Sequence, residues 1–126
     1  YWKGRSLMED ELIEILERFG YEVMRQGSLA DDKPYPENFF TFWNNSSSDE
    51  SHYDNKTVST VYDYDVNFYS TSPDFAYSKL RDAVSQLKKE GFIVSGDGYD
   101  VASDENTHIG RGINVLYLSI KEERED

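Results

Sequence analysis

Two carboxylates with one residue between them are the first groups in this sequence that suggest chemistry. Asp63 and Asp65 lie in a segment of alternating apolar and polar residues, so a strand would place both on one face, close enough to repel each other. If they were buried, this repulsion would separate their pKa values, as acid–base catalysis requires. The same face carries Ser59 and Asn67, which favours contact with water or a partner. We therefore take Asp63 and Asp65 as candidate protein-interface residues.

Two acidic segments resemble cation sites only loosely. His52 lies in a serine-rich segment beside Asp49, Glu50 and Asp54. A mobile loop holds metal ligands poorly, so we expect a solvated loop there. The second segment contains Asp97, Asp100, Asp104 and Glu105. Its spacing does not match the calcium-loop pattern, and turn formation explains its aspartates better. No metal site is predicted.

The sequence contains no recognisable catalytic motif. It has no cysteine, which excludes disulfides and thiolate chemistry. Gly96 and Gly98 belong to no dinucleotide fingerprint, there is no Walker-type lysine, and no serine lies in a G-x-S-x-G elbow. We therefore expect neither enzymatic activity nor a cofactor.

An aromatic run places apolar side chains on both faces of one predicted strand. It comprises Phe39, Phe40, Phe42 and Trp43. One explanation is a central strand buried on both faces. The other is that one face meets another subunit, because exposed aromatics concentrate at interfaces. Phe40 and Trp43 are the candidate interface residues of this run.

Charge excludes two classes of partner. The 126 residues carry a formal net charge of −12, with 25 acidic and 13 basic side chains. Nucleic acid and anionic membrane surfaces are bound through Lys and Arg, so neither is expected as a partner. No apolar run approaches the roughly 18 residues of a membrane span. Aromatics make up 15% of the chain, which is enough to build a core.

Two amphipathic helices are predicted. The first begins at a capping box formed by Ser6 and Glu9 and ends at Gly20. Its apolar stripe is Leu12, Ile15, Leu16 and Phe19. The second begins at Ser72, with Pro73 in its first turn, and ends at Gly91. Its stripe is Ala76, Leu80, Ala83, Val84 and Leu87.

About five strands complete the predicted fold, in the order α-β-β-β-α-β-β. They lie at 21–26, 39–43, 57–69, 92–95 and 113–120. We expect a single α+β domain over residues 1–126, with both helices on one face of a mainly antiparallel sheet. Its ordered core would span about 6–120. Mobile loops are expected at 27–38, 44–56 and 97–111, and a charged tail at 121–126.

Four short sequence segments resemble a known family, and the resemblance as a whole runs from about residue 8 to residue 120. They are PENFFTFW at 36–43, VYDYDVNFY at 61–69, KEGF at 89–92 and SDENTHIGRGINV at 103–115. With the element order, they resemble the small tail-terminator and tail-completion proteins of siphophages and prophages. None of the strings is a catalytic signature.

The resemblance implies a structural role in the virion. Such proteins cap the tail tube, often as a ring of six, and face the head-side connector. The implied partners are therefore the tail tube protein, the connector and further copies of this chain. Its place would be the host cytoplasm during assembly and then the tail or neck. The serine-rich loop and the loop around His108 would become ordered on assembly. His108 is therefore a candidate contact residue, and Arg111 is either a contact residue or an ordinary surface arginine.

Three hypotheses remain open at this point. The first is the tail terminator, which the sequence does not separate from a neck protein on the head side. The second is a stand-alone small α+β domain that binds a ligand or peptide at a sheet edge without catalysis. The third is a small acid–base enzyme that uses Asp63 and Asp65.

Overall fold

The computed structural model describes residues 7–27, 34–51 and 57–122. Two helices and six strands follow one another along these residues. They are α1 (Leu7–Glu17), β1 (Glu22–Arg25), β2 (Asn38–Ser51), β3 (Thr57–Ser70), α2 (Pro73–Lys89), β4 (Ile93–Val94), β5 (Tyr99–Val101) and β6 (Ile109–Glu122). All six strands join one sheet, and both helices pack on the same face of it. The predicted α+β class is confirmed.

The helix α1 forms where the apolar stripe predicts it. Leu12, Ile15 and Leu16 are at most 1% exposed and face the sheet. Gly20 ends the turn that follows the helix with a φ of 90°, a conformation that side chains with a Cβ rarely adopt. Ser6 of the predicted capping box lies outside the described residues. Glu9 is almost fully buried, and its carboxylate pairs with Arg25 of β1 at 2.6 Å.

The predicted start and stop signals of α2 are also confirmed. The Ser72 hydroxyl accepts a hydrogen bond from the Phe75 amide at 3.3 Å, and Pro73 occupies the first turn. All five residues of the predicted apolar stripe are buried. Gly91 follows the helix with a φ of 101°. None of the helices in the described parts of the chain is long and apolar enough to span a membrane.

The sheet is built around three long strands. Its order is β1-β2-β3-β6-β4, and β5 also pairs with β6. β1 is parallel to β2, whereas all the other pairs are antiparallel. Tyr64, Val66 and Phe68 of β3 point towards the helices and are fully buried. The alternate residues of β3 therefore form the second face, as the period-two pattern predicts.

The strands are longer than the sequence pattern indicates. β2 continues to Ser51, so residues 44–51 form a strand where we predicted part of a mobile loop. They pair with β3 from Tyr64 back to Val58, after an irregularity at Asn45. Backbone hydrogen bonds to a neighbouring strand need no apolar side chains, which explains why a serine-rich segment extends the strand. Residues 52–56 lie outside the described part of the chain.

The predicted loop at 97–111 is likewise shorter than expected. β5 occupies Tyr99–Val101, and β6 begins at Ile109, four residues before the predicted strand. β4 and β5 pair with successive parts of the same edge of β6, and residues 95–98 bulge out between them. The sheet thus has six strands, one more than predicted, because a short edge strand forms inside a polar segment.

Candidate functional site

The sheet face opposite the helices divides into two halves. In the covered half, the segments before β2 and β6 lie over the sheet, and four side chains are buried there: Phe39, Thr41, Asn67 and Tyr69. The open half comprises Trp43, Asp63, Asp65, Tyr99, Asn114 and Leu118. Of these six residues, Trp43, Tyr99 and Leu118 are each close to half exposed. The open half thus brings accessible aromatic, apolar and acidic residues together on this face.

Aromatic rings and one histidine hold the covered half together. The rings of Phe39 and Tyr69 stack with centroids 5.1 Å apart, and Tyr35 meets Phe39 edge-on at 5.5 Å. His108 is 8% exposed, and its Nε2 lies 2.8 Å from the Pro36 carbonyl oxygen. Since a carbonyl only accepts, Nε2 carries the proton and donates it. His108 is therefore a buried structural residue, which corrects its prediction as an exposed contact residue.

Nδ1 of His108 completes this arrangement. It lies 2.9 Å from the Thr107 hydroxyl, and in the neutral ring, which carries its one proton on Nε2, Nδ1 accepts from that hydroxyl. The backbone amide of His108 also donates to the Glu105 carbonyl at 3.1 Å. The histidine thus connects the loop before β6 to the segment before β2 without any partner chain.

Arg111 faces the helices instead of the second face. Its guanidinium contacts Asp100 at 3.0 Å and the Asp97 carbonyl at 3.3 Å, and it lies over the Tyr77 ring at 4.5 Å. The arginine side chain is only 12% exposed. The proposed role of Arg111 as an exposed contact residue is therefore corrected, because its side chain is largely buried and held by these intramolecular partners.

The glycines on either side of Arg111 are required by close packing on the second face. A Cβ on Gly110 would lie 2.6 Å from the Tyr69 ring. A Cβ on Gly112 would collide with the Asn67 side-chain oxygen and lie 2.7 Å from a methyl group of Val101. Because Gly110 and Gly112 lack side chains, the buried side chains of the covered half can pack directly on the backbone of β6.

In the open half, side-chain amides hold the two aspartates. Asn114 of β6 donates to Asp63 at 2.6 Å and to Asp65 at 3.1 Å, and Asn45 donates to Asp63 at 3.1 Å. Trp43, Asp65 and Asn114 are direct cross-strand neighbours on β2, β3 and β6. Among the described residues, neither carboxylate forms an ion pair, so this surface carries two negative charges without a cation.

Apolar and aromatic side chains surround these carboxylates. Leu118 of β6 is 46% exposed, and Ile93 of β4, at 56%, pairs in register with Leu116 on this face. Tyr99 lies above Gly112. Partial burial raises the pKa of Tyr99 above its usual value of 10.0, and the charges of Asp65 and Asp63 raise it further. The negative charges of both carboxylates therefore act on the Tyr99 hydroxyl.

The aromatic run divides between the two faces. Phe40 is fully buried in the core between the sheet and the helices, where it packs on Phe68 at 4.6 Å. Its prediction as an interface residue is corrected, because a partner has no access to it. Trp43 points to the second face and is exposed. Burial in the core therefore explains Phe40, whereas Trp43 remains accessible, as the interface explanation requires.

A cavity of about 500 Å³ lies beside the covered half. β1 and the segment that follows it form one wall, and the loop after β5 forms the opposite wall. The described residues that line it are Met24, Arg25, Gln26, Gly27, Tyr35, Phe39, Thr41, Tyr69, Val101, Ala102, Ser103, Asp104 and Glu105. Its volume falls in the usual range for small-ligand sites.

The polar groups around Asp63 and Asp65 are suited to hydrogen bonding. Around Asp63 and Asp65, the polar contacts are the amides of Asn45 and Asn114, which hydrogen-bond but do not act as nucleophiles. Within the described residues, no three metal-ligating side chains of the His, Cys, Asp and Glu types are grouped together. No known family model or characterised protein matches this sequence. What the site can do must therefore be argued from its own residues.

Three of the six candidate residues predicted from the sequence lie in the open half, and three further residues of the open half were not predicted. Trp43, Asp63 and Asp65 are together, whereas Tyr99, Asn114 and Leu118 were not singled out. Leu116 and Leu118 alternate with the core residues of β6, and this two-sided apolar pattern was the available signal. Asn114 gave no signal, because only the register of β3 and β6 places it between the aspartates.

Proposed function

We propose that this chain is a structural protein of a phage tail or neck, which caps the tail tube and joins it to the head connector. It would be made in the host cytoplasm and become part of the virion. The sequence resemblance supplies this biological setting, and the open half of the sheet supplies the docking surface. Copies of the chain would assemble into a ring, with hexamers as the expected form.

The observation that carries this proposal is the combination of exposed Trp43 and Leu118 with two carboxylates that no described cation neutralises. Aromatic anchors beside charged groups are typical of protein–protein hot spots. We expect the partner surface to present Lys or Arg opposite Asp63 and Asp65, since complementary charge directs docking. The net charge of −12 strengthens the preference for a basic partner surface.

Deleting the coding region from the phage or prophage tests the biological role. Induced particles would be imaged by negative-stain electron microscopy. Filled heads beside separate tails indicate a joining protein, and tubes of uncontrolled length indicate a terminator. Intact, infectious particles would refute the virion role.

Complementing that deletion with variants tests the open half. Trp43→Ala and Leu118→Ala should each lower the infectious titre by roughly tenfold or more, because each removes an exposed anchor. The matched control is Tyr77→Ala, which removes an aromatic residue of similar exposure, 52%, from the helix-covered side. Unchanged thermal unfolding would show that the variants are folded. Equal titres for all three variants would exclude the open half as the docking surface.

The cavity favours a second candidate, a stand-alone domain that binds a ligand without catalysis. Its volume of about 500 Å³ suits a small molecule or a single inserted side chain. This function predicts saturable binding by a monomer and no higher assembly. Sedimentation velocity of the purified chain, alone and with tail tubes, would distinguish the two functions.

A further inference from the structure

The cavity beside the covered half combines aromatic walls with acidic groups. Tyr35, Phe39 and Tyr69 contribute their rings, and Asp104 and Glu105 contribute exposed carboxylates. The Tyr35 hydroxyl donates to Asp104 at 3.4 Å, which places one carboxylate next to the rings. Aromatic faces and carboxylates attract the same class of ligand, because both present negative electrostatic potential.

The single cation among the described lining residues is engaged elsewhere. Arg25 forms an ion pair with Glu9 of α1 at 2.6 Å. Its guanidinium also lies 5.5 Å from the centroid of Phe42, a residue on the helix face of β2. The positive charge of Arg25 is therefore neutralised on the opposite side of the sheet, and no other described lining residue is a cation that could compensate Asp104 and Glu105.

A buried hydroxyl lies in the cavity wall. Thr41 is 6% exposed, and its hydroxyl interacts with the hydroxyl of Tyr69. The nearby hydroxyl of Tyr69 belongs to the same wall. A hydroxyl has one proton and two lone pairs, so Thr41 can still accept a hydrogen bond from a ligand in the cavity.

We propose that this cavity binds an organic cation, an alkylammonium or a guanidinium group. Such a group supplies donors only, and it meets acceptors at the Thr41 hydroxyl and at the carboxylates of Asp104 and Glu105. Its alkyl chain lies against the rings of Tyr35 and Phe39. The cation comes either from a free small amine or from a Lys or Arg side chain of a protein. This inference goes beyond the virion role and does not depend on it.

The loop that carries the two carboxylates is held in place without a ligand. The Glu105 amide donates to the Ser103 hydroxyl at 3.2 Å, and the His108 amide donates to the Glu105 carbonyl. The ring of His108 fixes the far end of the loop on Pro36. The cavity is therefore preformed, which limits the entropy lost when a ligand binds.

A titration followed by ¹⁵N–¹H NMR tests the site on the whole chain. The probe is Nα-acetyl-lysine amide, and the neutral probe of similar length is Nα-acetyl-norleucine amide. We expect saturable shifts confined to residues 24–27, 41 and 101–105 with the lysine probe. The norleucine probe should bind about tenfold more weakly, the typical effect of removing a cation from an aromatic, acidic site. Equal binding of the two probes would overturn the proposal.

Charge-matched double variants separate a site from general attraction to an acidic protein. Asp104→Asn with Glu105→Gln should weaken binding by about tenfold. The control, Glu11→Gln with Asp82→Asn, changes the net charge equally at two exposed helix positions far from the cavity. The same loss of affinity in both double variants would overturn the proposal. Thr41→Val, which keeps the side-chain shape, should also weaken binding several-fold.

Two further probes identify the source of the cation. A capped pentapeptide with one central lysine represents a protein side chain, and n-butylamine represents a free amine. Binding of the peptide at least as tightly as the lysine amide assigns the site to a protein partner. Binding of n-butylamine alone assigns it to a small metabolite. If neither cation produces saturable shifts, the cavity is not a cation site.

Discussion

Gly110, Arg111 and Gly112 serve opposite faces of β6. In the fold, Arg111 turns to the helix side and is held by Asp100 and the ring of Tyr77. The two glycines are required on the other face, where the side chains of Tyr69 and Asn67 pack against the bare backbone.

The packing at Gly112 predicts a destabilised Gly112→Ala variant. The new methyl group would collide with the Asn67 side chain and crowd Val101, which should cost about 1–3 kcal/mol of unfolding free energy. Urea denaturation would measure this loss. Because Asn67 causes the collision, the double variant with Asn67→Ala should lose less than the sum of the two single variants. Strict additivity would show that the crowding has another origin.

At the scale of elements, the long strands carry the functional surface. β2 and β6 extend past their short neighbours β1 and β4 and pair only with β3 beyond them. This part of the sheet includes Trp43 and Leu118 of the open half. The helices need only cover the other face, so the projecting strands remain available to a partner.

The extension of β2 predicts slow hydrogen exchange in a serine-rich segment. Alternate amides of residues 44–51 should be protected, because antiparallel pairing to β3 bonds every second residue of an edge strand. We expect at least about tenfold slower exchange than for the amides of 102–106. Mass-resolved or NMR exchange at neutral pH measures this. Uniformly fast exchange over 44–51 would contradict the strand and restore the predicted loop.

A surface ion pair links the ends of the two helices and predicts a pH dependence. Arg18 contacts Glu90 at 3.0 Å, and the hydrogen bond from Arg18 lowers the pKa of Glu90 below 4.5. A lowered carboxylate pKa contributes stability that is present above about pH 4.5 and disappears as the pH falls through the folded-state value. Glu90→Gln should therefore be less stable than the wild type at pH 7, with the difference vanishing towards pH 3.

Urea unfolding of both proteins between pH 7 and pH 3 checks this prediction. Glu11→Gln is the control, since it removes an exposed carboxylate on α1 that is distant from Arg18 in the helix. The difference at pH 7 should shrink with added salt, because the pair is exposed to solvent. A difference of the same size at pH 3 and pH 7 would rule out the ion pair as its cause.

For the molecule as a whole, charge is the dominant electrostatic feature. A net charge of −12 on 126 residues opposes compaction through self-repulsion. Sodium chloride should therefore raise the thermal midpoint between about 10 and 150 mM, by roughly 4 °C for each kcal/mol recovered. Differential scanning calorimetry measures the shift. At pH 4.5, near the pI, the effect should disappear. A midpoint that falls with salt at pH 7 would show that attractive pairs outweigh the repulsion.

Prediction from the sequence succeeded where a signal was local. The stripes of both helices, the Ser72 cap of α2 and the alternation of β3 depend on neighbouring residues, and the structure confirms them. It failed where pairing decides. Residues 44–51 lack an apolar pattern and residues 99–101 are too few to show a convincing one, yet each segment lies beside a long strand that offers backbone groups for pairing. Phe40 and His108 were misplaced because burial depends on which elements cover a face.

The sequence by itself determined the fold class, the two helices, the core face of β3 and the acidic character of the molecule. These follow from periodicity, capping and composition, which are properties of adjacent residues. The tertiary structure alone decided that Asn114 joins Asp63 and Asp65, that Arg111 turns away from them and that Thr41 lines a cavity. Strand register and the covering of a face bring together residues that are distant along the chain, and local sequence carries no record of such contacts.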